Sequence, residues 1–230
     1  GFYDDDGFLG SALYVGANVV PVATTAEARE AFAARLSRYG RRGSSIVGPA
    51  EEVLDLWSRI SPFWGRAREV RHDQPLLAIT SAPRIQADPQ VRPVTPAELD
   101  SLLPACVTMF TEEVGISPVS GGSGGAYRAR IAELIGEGRA LARFDDSTVV
   151  FKAEIGAMNS RACQVQGVWV APERRGQGLA EPGMAAVVDH ARTECAPIVS
   201  LYVNDYNRIA RRVYERVGFE QVGVFATILF

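Results

Sequence analysis

Between Cys163 and Phe219 the chain runs strand, glycine loop, helix, strand, helix, and no other stretch limits the fold as much. QVQGVWVAP (Gln164 to Pro172) is β-rich. Arg175, Gly176, Gln177, Gly178, Leu179 and Ala180 follow, and then a segment in which Met184, Val187, Val188 and Ala191 recur at helical spacing. A glycine loop that opens a helix aims several backbone N–H groups and the positive end of the helix dipole at one place, where an anion such as phosphate is stabilised. Pro182 suits the first helical turn, where its missing N–H costs nothing. IVSLYV (Ile198 to Val203) reads as a buried strand and Asn204 to Phe219 as a second helix ending at Gly218. On a helix of that span Asn207, Ala210, Arg211 and Tyr214 share one face. Gly167, inside the first strand, is either a plain strand glycine or the mark of a bulge where another group approaches the backbone.

The combination Arg175-x-x-Gly178-x-Ala180, then Asn207, Tyr214 and the pair Gly218-Phe219, resembles the GNAT superfamily of acetyl-CoA-dependent N-acetyltransferases. The resemblance spans residues 91 to 230, with specific motifs only after Gln164. It implies an α/β (α+β) fold class: a GNAT fold with a mixed central sheet, splayed strands and flanking helices. It also implies that Arg175, Gly176, Gln177, Gly178, Leu179 and Ala180 hold the CoA pyrophosphate. The backbone of Val168, Trp169 and Val170 would face the pantetheine arm and the acetyl carbonyl, in the gap between the strands at Gln164–Val170 and Ile198–Val203. Asn207 would contact the cofactor, and Tyr214 would protonate the leaving thiolate.

Acetyl transfer from a thioester to an amine needs a neutral nucleophile, stabilisation of the carbonyl oxygen and a proton for sulfur. It needs no metal. Some family members place a carboxylate base in the strand that holds Gln164 and Gln166 here, so the proton acceptor must come from Glu112, Glu113 or Glu154, or from water. Two adjacent glutamates at a helix end, Glu112 and Glu113, are equally read as solvated. Two function classes follow: an N-acetyltransferase acting on a primary amine of a small molecule, amino acid, peptide or protein, and a non-catalytic acyl-CoA-binding regulatory or partner-binding module.

The rest of the chain narrows the setting. A formal net charge of −3 gives no electrostatic case for nucleic acid. Cys106, Cys163 and Cys195 lack C-x-x-C spacing, and only His72 and His190 could join them, so reduced thiols and no metal are expected. No apolar run is long enough to span a bilayer, and Asp4 to Asp6 stand where a signal peptide would be positive, which leads to the expectation of a cytoplasmic protein without membrane partners. The first residues read as a start inside a domain.

Taken in order, residues 8 to 23 hold two β-rich runs parted near Gly16, a hairpin by pattern. Thr24 and Glu27 form a capping box for a helix from Ala26 to Arg38. A short strand (Ser44 to Gly48), a helix opened by Pro49, and a strand at Pro75 to Thr80 follow. This order echoes the GNAT unit without a glycine loop: PVATTAEA (Pro21 to Ala28) stands at the equivalent junction. A smaller degenerate GNAT-like domain, structural or acceptor-shaping, is therefore expected, and the tandem arrangement resembles a group of actinobacterial GNAT proteins. Trp57 and Trp64 read as packing. SAPRIQADPQ (Ser81 to Gln90) is linker-like, which divides the chain into 1–82, a linker 83–90, and an acetyl-CoA-binding domain 91–230.

Thr95-Pro96-Ala97-Glu98 is a capping box opening a helix with Leu99, Leu102, Leu103, Cys106 and Phe110 on one face. SGGSGGA (Ser120 to Ala126) is either a gating loop or a connector, followed by a helix from Tyr127. Strands at Ala140–Phe144 and Thr148–Ala157 turn at Asp145-Asp146-Ser147. Lys152, the only lysine, and Glu154 alternate with Phe151, Ala153 and Ile155, so one polar and one apolar face are expected there.

Overall fold

A computed structural model describes residues 1–3, 7 and 9–230; the acidic run Asp4–Asp6, and Phe8, lie outside the described residues. The chain begins with strands β1 (Phe2–Tyr3), β2 (Leu9–Val15) and β3 (Asn18–Val22), helix α1 (Ala26–Tyr39), β4 (Ser45–Pro49), α2 (Ala50–Trp64) and β5 (Glu69–Ile79). It continues with β6 (Arg92–Pro93), α3 (Leu99–Val114), α4 (Gly124–Gly136), β7 (Ala140–Asp145), β8 (Thr148–Met158) and β9 (Ala162–Val170). It ends with α5 (Ala180–Glu194), β10 (Ile198–Tyr202), α6 (Arg208–Val217) and β11 (Glu220–Leu229).

These elements form two compact units, Gly1–Leu76 with Tyr202–Asn207 and Gln221–Phe230, and Leu77–Leu201 with Arg208–Glu220. The partition differs from the one that composition suggests. The boundary falls inside β5, and the C-terminal strand belongs to the first unit, because pairing between distant segments leaves no local mark on composition.

In the first unit β2 and β3 make the expected hairpin, with Ala12 opposite Val22 and Val15 opposite Val19. β3 and β4 pair in parallel through Asn18↔Ser45 and Val19↔Ile46, a geometry that requires a crossover, supplied by α1. β11 runs antiparallel to β4 from Phe225↔Pro49 to Leu229↔Ser45. Phe32, Leu36, Leu56, Ile60, Trp64 and Ile228 are among its buried core. Trp57 and Trp64 both meet the Phe230 ring at 5.6 Å, and the Trp64 indole donates to Leu36 O, so both pack. The cap of α1 is Thr25, whose hydroxyl accepts from Ala28 N, and not Thr24. Thr24 is drawn off by Glu52, which accepts from its N–H at 2.8 Å and its hydroxyl at 2.5 Å.

In the second unit β7 and β8 form a hairpin whose central residues, Asp146 and Ser147, have φ of 46° and 69°, the two positive values that a two-residue turn matching strand twist demands. β6 flanks β7, and β9 pairs antiparallel with β8. The Thr95–Glu98 capping box forms as expected: Glu98 accepts from Thr95 N and from its hydroxyl. Leu102 and Cys106 of α3 pack with Ile131 and Leu134 of α4 against Ala140 and Ala142. Helix α4 starts at Gly124, earlier than Tyr127, so the glycine-rich run is partly helical and partly a 3₁₀ turn at Ser120–Gly122.

β8 keeps the expected polar and apolar faces. Its side chains alternate across the sheet, but both faces are covered: Phe151 lies against Gly183 of α5, and Glu154 lies beside Cys106 of α3. Phe151 through Ile155 are all buried, Lys152 and Glu154 included. The polar face is enclosed by helix α3 instead of facing water.

Candidate active site

The site is built at the end of β9. Along β8 Lys152 and Glu154 are two positions apart, whereas their partners on β9, Trp169 and Gln166, are three apart, so β9 carries a bulge. Gly167 sits in it with φ 60°, a conformation that favours glycine. A Cβ there would also stand 3.1 Å from the Met109 methyl and 3.2 Å from both Glu154 Cδ and Lys152 Nζ. Of the two sequence readings for Gly167, the bulge holds. The parallel pairing of β9 with β10 ends at Ser200↔Gln164 while β9 runs on to Val170, so the strands part along the backbone of Val168, Trp169 and Val170.

Past Val170 a 3₁₀ turn, Pro172–Arg174, is pinned by an Arg174–Asp145 ion pair at 2.7 Å. The exposed loop that follows sets Gln177 between Gly176 (φ 75°) and Gly178 (φ 78°). Nothing lies within 4 Å of a Cβ built on either glycine, so the backbone angle and not crowding demands them. α5 then starts at Ala180 with Pro182 in its first turn, and the residue before it, Leu179, offers no side-chain cap. Alternating positive-φ residues and an uncapped helix start together leave backbone N–H groups open to one region, a donor set that fits a pyrophosphate.

The predicted side chains distribute unevenly around this core. Arg175 donates from Nε to Val170 O at 3.1 Å and from Nη2 to Glu112 at 2.7 Å, and Glu112 also accepts from the Trp169 indole at 3.3 Å. One proposed proton acceptor is thus the ion-pair partner of the proposed cofactor arginine. Both are exposed, and exposed pairs contribute only about 0–1 kcal/mol, little enough for a dianion to displace. Glu113 is exposed at the end of α3. Tyr214 is 7% exposed, its ring edge-on to Phe219, and burial, then the nearby Glu113 charge, hold its phenol well above the ordinary value. Glu154 is enclosed, bound to Lys152, Cys106 and Gln166.

The helical placement of Asn207 is corrected. α6 starts at Arg208, and Asn204–Asn207 is a turn closed by Asn207 N donating to Asn204 O at 2.9 Å. Asn and Asp favour turns and helix entrances over helix interiors. Asn207 is grouped with the first unit, and only Ala210, Arg211 and Tyr214 of the expected face lie on the helix. Sequence reasoning also left out Lys152 and Gln166 as site residues. The signal for Lys152 was present: a chain's single lysine, set inside a strand pattern two residues before a glutamate.

Comparison with known proteins adds the following. Residues 125–219 match the family model described as Acetyltransferase (GNAT) family, and residues 1–102 match one described as Domain of unknown function (DUF4081). No protein of curated function matches the chain. Among solved structures, an acetyltransferase from the GNAT family of Colwellia psychrerythraea superposes with TM-score 0.61 at 12% identity, covering 100% of this chain and 84% of its own. A putative GNAT acetyltransferase of Novosphingobium aromaticivorans gives 0.56 at 17% identity, with 93% and 83% covered. A GCN5-related N-acetyltransferase of Kribbella flavida gives 0.57 at 17% identity, with 92% and 80% covered. The mixed α/β architecture is that of GNAT proteins. Among the described residues no helix is long and apolar enough to cross a membrane.

Proposed function

We propose that this chain, whose residues 125–219 form a GNAT-family acetyltransferase domain, moves an acetyl group from acetyl-CoA directly to a primary amine. The observation that carries the reading is the β9–α5 junction: a bulged strand that parts from its neighbour and leads into a doubly positive-φ loop and an uncapped helix. Bound acetyl-CoA supplies an activated thioester. Arg175 through Ala180 hold its pyrophosphate, and the backbone of Val168, Trp169 and Val170 offers hydrogen bonds to the arm and to the carbonyl oxygen where negative charge develops.

Tyr214 serves the leaving sulfur. A phenol held above its usual pKa of ~10 gives up its proton reluctantly to a thiolate whose conjugate acid is near ~8.5, so most of its effect is hydrogen-bond donation. The amine is a small molecule, amino acid, peptide or protein group. The first unit has no equivalent loop and acts as a structural or acceptor-shaping partner, and the protein works in the cytoplasm.

The test is incubation with acetyl-CoA and a broad panel of amines while free thiol is followed. Amine-dependent thiol release is expected. Tight CoA binding without any amine-dependent release would replace this reading with that of an acyl-CoA-binding regulatory module.

A further inference from the structure

Lys152 is the chain's only lysine, and its side chain is wholly buried at the centre of β8. Its Nζ lies 2.5 Å from Oε1 of Glu154, which also accepts from the Cys106 thiol at 3.5 Å. The other carboxylate oxygen accepts from Nε2 of Gln166 at 3.3 Å. Gln166 is exposed, and its amide fills the room that Gly156 leaves by having no side chain. A polar path therefore leads from an exposed amide, through a carboxylate, to a buried ammonium, directly under the Gly167 bulge. Packing gives no reason for it, since well-packed apolar residues hold a strand at least as well as a buried ion pair does.

Every other titratable group facing Glu154 is held protonated. Burial pushes the Cys106 thiol up to about 12 and raises the Tyr127 phenol, which donates to Cys106 O. Burial, the largest single influence, lowers the Lys152 ammonium, but Glu154 and Cys106 together, through charge and hydrogen bonds, leave Lys152 above its ordinary value. Among the described residues, α3, α4 and β9 bring a thiol, a phenol and an amide toward the carboxylate, and its cationic partner is Lys152 on its own strand.

We propose that Glu154 is the proton acceptor of the transfer and that Lys152 is its positioning residue, holding the carboxylate in its orientation beneath the Gly167 bulge. This rests on the acetyl-CoA reading of the site. The acceptor ammonium gives one proton to Glu154 past the Gln166 amide, and its lone pair forms the N–C bond at the thioester carbonyl. The C–S bond breaks, and the second nitrogen proton ends on sulfur by way of the Tyr214 hydroxyl. Glu154 then returns its proton to solvent, so each amide formed releases one proton.

A single lysine makes the test direct, because whole protein labelled with ¹³Cε-lysine gives one side-chain resonance without assignment. It is expected to stay in its charged position through neutral pH, to shift when CoA saturates the protein, and in Glu154→Gln to titrate at least about one unit lower, as burial loses its compensation. Lys152→Met should lower kcat on the order of 10²-fold and move the acidic limb of the pH–rate profile upward, with CoA affinity within about twofold. If either single variant fails to fold, the double variant Lys152→Met/Glu154→Gln, which leaves no unpaired buried charge, should fold and show that limb abolished. CoA that fails to bind the unmutated chain removes the acetyl-CoA reading and this inference together. CoA that binds while the resonance ignores both CoA and Glu154→Gln removes the inference alone. So does an unshifted acidic limb in Lys152→Met.

Discussion

Each unit contains a parallel strand–helix–strand crossover, β3–α1–β4 in the first and β9–α5–β10 in the second. In the first, the junction consumes its own donors. Thr25 caps α1 through Ala28 N, Glu52 accepts from both the amide and the hydroxyl of Thr24, and Arg29 bonds Thr24 O at 2.5 Å while its Nε meets Asp55. In the second, Leu179 offers no side-chain cap, and two glycines with positive φ precede it. Topology alone therefore does not make an anion site. A helix start binds an external anion when its own chain leaves the amides unmet, and the first unit's Glu52 acts as a built-in anion at the equivalent place.

The change with the largest expected effect is Gly178→Glu. It forces a side chain onto φ 78°, at about 1–2 kcal/mol of backbone strain, and sets a carboxylate where the pyrophosphate would lie. CoA binding by calorimetric titration should be lost, while the circular dichroism spectrum stays unchanged because the loop is exposed. Tight CoA binding surviving in this variant would remove this loop from the site and break the comparison.

Tyr214→Phe comes next. The ring's packing on Phe219 is kept, so fold and CoA affinity should hold while turnover falls on the order of 10²-fold, the lower end for general acid catalysis. Turnover within about twofold of the unmutated protein, with chemistry limiting, would reduce Tyr214 to a packed helix residue.

The second unit's loop and helices were legible because glycine spacing, capping boxes and helical periodicity are local. The GNAT resemblance was drawn from such signals alone. What escaped was non-local. β11 joins the first unit through ladder bonds to β4, which no window of sequence reveals. Lys152 and Glu154 read as the polar face of a strand, but their burial escaped because strand alternation gives the side of a sheet and not what covers it; the cover is α3, earlier in the chain. Asn207 was placed on the helix because its expected start, Asn204, lies four residues before the observed one, Arg208.

Exchanging the two junctions' devices sharpens the comparison at a smaller scale. Leu179→Asp sets a carboxylate at the start of α5, which should add about 0.3–1 kcal/mol through the helix dipole and weaken CoA binding, since the new charge competes with the pyrophosphate. Thr25→Ala removes the first unit's cap and should cost about 1 kcal/mol with CoA affinity unchanged. Thermal melts read beside CoA titrations separate the two outcomes. A Leu179→Asp protein that is stabilised and still binds CoA normally would mean that the amides at the start of α5 do not face the cofactor.

The smallest expected effect separates two caps by pH. Thr25 holds α1 with a hydroxyl, which does not titrate, whereas the Thr95 box at the start of α3 depends on the Glu98 carboxylate. The Arg92 hydrogen bond at 2.6 Å, joined by those from Thr95, lowers the Glu98 pKa from 4.5 to about 2. A folded pKa below the unfolded one means that the unfolded state binds the extra proton, so the contribution is complete above about 4.5 and is lost as pH falls through about 2. Arg92 is half exposed and solvent screens the pair, which limits Glu98→Gln to about 1 kcal/mol at neutral pH. The penalty of Glu98→Gln should therefore stay level in denaturant titrations from pH 7 to about 5 and shrink from there toward about pH 2, while that of Thr25→Ala stays constant over the same range. Parallel curves for the two variants would show that Glu98 holds its helix by packing and not by charge.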